Sequence, residues 1–293
     1  MKDKIVLITG GTDGIGRETA FGLAKLGATV VVVGHNRERG EAAVRDLQKQ
    51  SGNERVYLML ADLTSMTQVR QLAATFEQKY GRLDVLINNA ISIHRKREET
   101  ADGFEKTFAI GHLAPFLLTN LLLPLLKANA PSRIVNMTSD GHKITELDFD
   151  DLQSKKWYRG VDIYMRAKLA NLLFTYELAR RLEGTGVTVN AAEPGSANTT
   201  MMKATKPDML PPMVRVMWPM IKRTLGTPAQ AALVPIHLAS SPELETVSGQ
   251  YIGTTLKPVK SSDASYNLEL ARRLWDATAE MARLTVDENI VTA

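Results

Sequence analysis

Eight residues near the start of the chain, Thr9-Gly10-Gly11-Thr12-Asp13-Gly14-Ile15-Gly16, constrain its fold more than any other segment. They lie between an apolar run, Lys4 to Ile8, and a stretch of helical periodicity, Glu18 to Leu26, that ends at a C-cap candidate, Gly27. A β-branched run, Thr29 to Val33, follows. Strand, glycine turn, helix and strand in that order predict a parallel βαβ unit. Glycines let the backbone approach phosphate closely, and a helix N-terminus favours negative charge. Gly10, Thr12, Gly14, Ile15 and Gly16 are therefore candidates to cradle a dinucleotide pyrophosphate. The plainer alternative is a tight strand-to-helix turn with no ligand.

Strand-like and helical segments keep alternating along the chain, which predicts an α/β fold with a doubly wound, parallel, seven-stranded sheet. The fifth strand is expected at Arg133 to Met137, the sixth at Val187 to Ala191 and the last around Gly249 to Ile252. No repeat or linker divides the 293 residues, so a single domain is expected over 1–293. No apolar run in the sequence approaches the ~20 residues of a membrane span, and the first strand starts almost at Met1, so a cytoplasmic protein is expected. With no Cys, thiol catalysis and a disulfide framework are excluded. A net charge of +4, scattered along the chain, gives no footprint for nucleic acid.

Tyr164 and Lys168 stand one helical turn apart in Tyr-Met-Arg-Ala-Lys, within a Gly- and Pro-free run from Asp162 to Arg181. A phenol is a poor acid near neutrality, and an ammonium on the same face is expected to stabilise its phenolate. The pair is a candidate general acid/base. The bland alternative is a chance pairing on a solvated helix.

The glycine spacing is Thr-Gly-x-x-x-Gly-x-Gly, and with it the chain resembles the short-chain dehydrogenase/reductase family. Further matches come in family order: Asp62 in Ala-Asp-Leu-Thr, then Asn88-Asn89-Ala90, Ser139, the Tyr164 and Lys168 pair, and Pro194-Gly195. Longer stretches, among them Leu169-Ala170-Asn171 and Ala271-Arg272-Arg273-Leu274-Trp275, are similar to the retinol dehydrogenase branch. The resemblance implies that Ser139 bonds the substrate oxygen, that Tyr164 exchanges its proton, and that Lys168 holds the nicotinamide ribose and lowers the Tyr pKa. It also assigns Asp62 and Leu63 to the adenine, Asn89 and Ala90 to the cofactor, and Pro194, Gly195 and Thr199 to the nicotinamide end. A homodimer or homotetramer is implied as well, and many animal relatives carry an N-terminal anchor that this chain was expected to lack.

Cofactor choice is read at the end of the second strand. An NAD site places Asp or Glu ~20 residues past the glycine turn. Here Gly34 is followed by His35, Asn36 and Arg37. Neutral and cationic groups suit a 2′-phosphate, so NADP(H) is expected over NAD(H). Asp13 argues mildly the other way.

Two residues depart from the family pattern. Gly111 stands where relatives carry a catalytic Asn, within Gly-His-Leu-Ala-Pro-Phe. Pro115 cannot donate to the carbonyl four residues back, so the Gly111 carbonyl is expected to be free to hold the relay water. Ile91 replaces the usual Gly after Asn-Asn-Ala and is expected to narrow the substrate entrance.

Between residues 200 and 226, Met201, Met202, Met209, Met213, Met217 and Met220 gather with Trp218, which suggests an apolar lid over a bulky lipophilic substrate. Ordinary core packing is the alternative. The function expected is an NADP(H)-dependent oxidoreductase interconverting a carbonyl and an alcohol. The rivals are a nucleotide-binding sensor or scaffold with little turnover, and a reductase of C=N or C=C bonds.

Overall fold

The structure, a computed structural model, describes residues 1–285; the side chain of Met213, one of the expected lid methionines, lies outside the described residues. The chain runs β1 (Ile5–Thr9), α1 (Gly14–Lys25), β2 (Thr29–Gly34), α2 (Arg37–Ser51), β3 (Val56–Leu60), α3 (Met66–Tyr80) and β4 (Val85–Asn88). Next come α4 (Lys106–Phe108), a π-helical stretch (Ala109–Leu113) and α5 (Ala114–Ala128), then β5 (Ser132–Met137), α6 (Gly160–Arg181) and β6 (Val187–Ala192). The remainder is α7 (Thr200–Ala204), α8 (Pro212–Ile221), α9 (Pro228–Ser240), β7 (Tyr251–Ile252) and α10 (Leu268–Met281).

All seven strands are parallel, in the order β3-β2-β1-β4-β5-β6-β7. Both faces are covered, as strand periodicity requires. Leu7, Val31 and Leu86 point into a core with α3, α5, α6 and α10, while Val6, Ile8, Val30 and Ile87 point into another with α1 and α9. The strand order reverses between β1 and β4, and a crevice opens there at the carboxyl ends, where doubly wound folds bind ligands.

Several boundaries depart from expectation for local reasons. Helix α1 begins at Gly14, because the Asp13 carboxylate accepts the Gly14 N–H at 2.7 Å and caps the turn. Strand β7 begins only at Tyr251, since Gly249 takes a left-handed φ of 71°. Its outer edge is covered by the chain folding back: Val259 N–H donates to Tyr251 O at 2.9 Å and Gly253 N–H to Lys257 O at 3.0 Å.

The expectation that no apolar segment reaches membrane-span length is corrected. The continuous helix Lys106–Ala128 is 23 residues long and apolar enough to cross a bilayer by composition, yet 83% of its most apolar window is buried. Pro115, Thr119, Asn120 and Pro124 break up its appearance in the sequence. It is apolar all round because α3 and α6 pack on it.

At the amino ends of the central strands, the buried Asp84 carboxylate accepts from Ile5 N–H, Lys4 Nζ and Arg82 Nε, each at 2.9 Å. Burial pushes its carboxyl up, but these donors outweigh burial and hold it below the usual range.

Candidate active site

The glycine turn, the end of β2 and the loops after β3 and β4 enclose a groove of 310 Å³ at the switch point. Gly10, Thr12, Gly14, Ile15, Gly16, His35, Asp62, Leu63, Asn89, Ala90 and Thr199 all line it, which is most of the expected cofactor set. The cradle depends on its glycines: a Cβ on Gly16 would lie 2.3 Å from Gly10 O and 2.4 Å from Asn89 Nδ2. Asn89 supports the turn rather than merely facing the groove, its amide donating to Thr9 O at 2.9 Å and Gly10 O at 3.2 Å. Thr199 caps α7 and brings its methyl to 3.4 Å from where a Cβ of Gly14 would stand.

Two of the residues proposed for phosphate selection do other work. Asn36 caps α2 by accepting Arg39 N–H at 2.9 Å. Arg37 lies outside the groove lining, exposed, with its guanidinium 3.5 Å from Glu41. Of the trio, only His35 lines the groove. A larger open cleft of 710 Å³, lined by Tyr176, Arg180, Val187 and Gly249, lies towards the amino ends of the strands and gathers none of the candidate residues.

Ser139, Tyr164 and Lys168 meet where β5 ends against α6. The Ser139 hydroxyl accepts Gly141 N–H at 3.3 Å and is near enough to the Tyr164 phenol to lower its pKa. Its loop is held by His142, whose Nε2 accepts Ser262 N–H at 3.0 Å, so Nδ1 carries the proton donated to Ser139 O at 2.7 Å. The Lys168 ammonium lies 5.5 Å from the Tyr164 ring centroid and donates to Met137 O at 2.9 Å. Burial pushes the Tyr164 phenol up to about 12, opposed by the Ser139 hydroxyl. It pushes the Lys168 ammonium down to about 8. The expectation that Lys168 makes the phenol acidic is therefore not met in this arrangement, because desolvation dominates and keeps Tyr164 protonated at neutral pH.

The two departures from the family pattern prove to be one packing event. A Cβ on Gly111 would lie 2.4 Å from Ile91 Cδ1 and 3.2 Å from Ala167 Cβ. Ile91 thus fills the space of the missing side chain, while also lining the groove.

The expected proline effect appears as the π-helical stretch, in which Ala114 N–H reaches back five residues to Ala109 O. The Gly111 carbonyl carries one donor from α6: Asn171 Nδ2 donates to it at 2.7 Å. Asn171 Oδ1 then faces His112 Nδ1 at 3.1 Å, and His112 Nε2 meets Thr278 Oγ1 at 3.0 Å. Burial holds the His112 imidazole down at about 4, so it is neutral at pH 7. Asn171 stood in a quoted motif without a role, and its position three residues after Lys168 was the available signal.

Glu193 was missed altogether. It precedes Pro194-Gly195, is 9% exposed, and accepts Gly195 N–H on Oε1 and Asp140 N–H on Oε2, both at 2.8 Å. It thereby ties the serine loop to the Pro194-Gly195 turn.

The lid methionines divide. Met201 lines the groove, Met209 is buried, and Met217 and Met220 face solvent on α8 while Trp218 turns inward.

Comparison with known proteins agrees with this geometry. The family model described as short chain dehydrogenase matches residues 4–210. Human retinol dehydrogenase 14 is 42% identical, over 97% of this chain and 88% of its own length. Human polyprenol dehydrogenase is 39% identical, over 95% and 85%. Among solved structures, an uncharacterised protein from Mycobacterium paratuberculosis superposes with a TM-score of 0.77 at 29% identity, covering 96% of this chain and 94% of its own. The RhlG/NADP complex of Pseudomonas aeruginosa gives 0.69 at 26%, covering 86% and 95%. The chain belongs to the short-chain dehydrogenase family and is similar to the retinol dehydrogenases within it.

Proposed function

We propose that this protein is a cytoplasmic, NADP(H)-dependent oxidoreductase that interconverts a carbonyl and a primary or secondary alcohol on a bulky lipophilic substrate. One observation carries the reading: Ser139, Tyr164 and buried Lys168 gather where β5 ends against α6, with the ammonium 5.5 Å from the Tyr164 ring centroid. The glycine turn lining the groove suits a dinucleotide, since its backbone can come close to a pyrophosphate at the start of α1.

A nicotinamide dinucleotide supplies or accepts the hydride when bound. Gly10, Thr12, Gly14, Ile15 and Gly16 would hold its pyrophosphate. Asp62 and Leu63 would meet the adenine, and Asn89, Ala90, Pro194, Gly195 and Thr199 the nicotinamide half. The protein's own work is proton handling. Ser139 donates to the carbonyl oxygen, and Tyr164 passes its phenol proton to that oxygen as negative charge grows there. The Lys168 ammonium then faces the phenolate. Gly111 serves through its backbone, its carbonyl anchoring Asn171 on α6.

Support for NADP(H) is the absence of a carboxylate at Gly34 and His35. Ile91, Ile110 and Met201 along the groove favour an apolar substrate, as do the retinol and polyprenol dehydrogenases among the similar proteins. A panel of apolar ketones, aldehydes and alcohols, followed by nicotinamide absorbance, tests the function. Turnover that vanishes in Tyr164→Phe while cofactor binding persists is expected. Binding with no turnover on any substrate would favour the sensor reading. A higher kcat/KM for NADH than for NADPH would overturn the cofactor assignment.

A further inference from the structure

We propose that Glu193 is a positioning residue: from the end of β6 it sets a buried negative charge against Lys168 and so holds that lysine in its ammonium form. The proposal rests on Lys168 belonging to the site, but it is measured on the lysine itself, with no turnover needed.

The argument begins with strand register. Met137, the last residue of β5, pairs with Ala192, the last residue of β6. Lys168 Nζ donates to Met137 O at 2.9 Å, and Glu193 is the next residue after Ala192. The ammonium and the carboxylate therefore stand at the same end of two adjacent strands.

Both Glu193 oxygens accept backbone N–H groups at 2.8 Å. Hydrogen bonds donated to both oxygens favour the ionised form, against the burial that opposes it.

The charged and titratable groups around the pair leave each as the other's counter-charge. On the serine loop, Asp140 is exposed and engaged by Lys143 at 2.7 Å. His142 is held neutral, its Nε2 occupied as an acceptor. On β7, Tyr251 gives its proton to Asp140 Oδ1 at 3.0 Å. On α6, Tyr164 is a neutral phenol. Glu193 and Lys168, 9% and 3% exposed, remain as the buried charges.

On the lysine side the electrostatics agree in sign. Burial drives Lys168 down to about 8 while Glu193 opposes the fall. Burial and the Asp140 charge push the Glu193 carboxyl up. Removing the Glu193 charge lowers the proton affinity of Lys168 and of Tyr164 together, so the pair loses its first proton at lower pH whichever group releases it.

The experiment is an NMR pH titration of the full chain carrying ε-13C-lysine, with the Lys168 resonance assigned by its loss in Lys168→Arg. Glu193→Gln is expected to lower the Lys168 midpoint by about one pH unit. Glu193→Asp, which keeps the charge, is expected to stay within a few tenths of a unit of the wild type. A folded Glu193→Gln protein with an unmoved midpoint would overturn the proposal. A reciprocal measurement covers the case in which Glu193→Gln does not fold: in δ-13C-glutamate protein, Lys168→Met must raise the Glu193 midpoint by a comparable amount, and no change there would also overturn it.

Discussion

At the scale of single residues, positions 91 and 111 form a coupled pair. Gly111→Asn would drive a new Cβ against Ile91, so the single substitution is expected to cost about 1–3 kcal/mol in urea unfolding. The double variant with Ile91→Ala is expected to recover most of that loss, and equal instability of single and double would disprove the coupling. The sequence showed both departures, because each sits inside a recognisable motif. It could not show that one fills the space of the other, since twenty residues separate them and only the packing of the loop after β4 against the π-helical stretch joins them.

At the scale of elements, the helix Lys106–Ala128 is tied to α10 by the chain from Gly111 O through Asn171 and His112 to Thr278. His112 is buried and neutral, its pKa held at about 4. Its folded value lies below the unfolded one, so its contribution is complete above pH ~6.5 and is lost as pH falls towards 4. The loss expected across that window is about 3 kcal/mol. Urea titrations at several pH values should show this slope in the wild type and not in His112→Gln; equal slopes would refute it. Strands and helices were readable from period and punctuation, as with the fifth strand, expected from Arg133 and found from Ser132 to the same Met137. The lid was not, because methionine spacing cannot separate Met209, which is buried, from Met220, which faces solvent.

At the scale of the whole molecule, Asp84 fastens the two halves of the sheet where β1 meets β4. Asp84→Asn leaves Lys4 and Arg82 without their shared acceptor and is expected to destabilise the fold by about 3 kcal/mol at pH 7. The wild-type carboxyl is held low, so its contribution is present above the ordinary carboxylate range and disappears on acidification. The variant should therefore show a shallower acid denaturation curve, and an unchanged curve would exclude Asp84 as its source. The overall architecture was legible because the glycine turn and the alternating segments admit few topologies. The electrostatic frame was not, since Asp84, Glu193 and Asn171 act through partners remote in sequence. The return of residues 257–259 along β7 closes the margin of the sheet. Two copies of this chain cannot splice their sheets end to end there, so the open-ended strand addition that threatens bare sheet margins is blocked at this border.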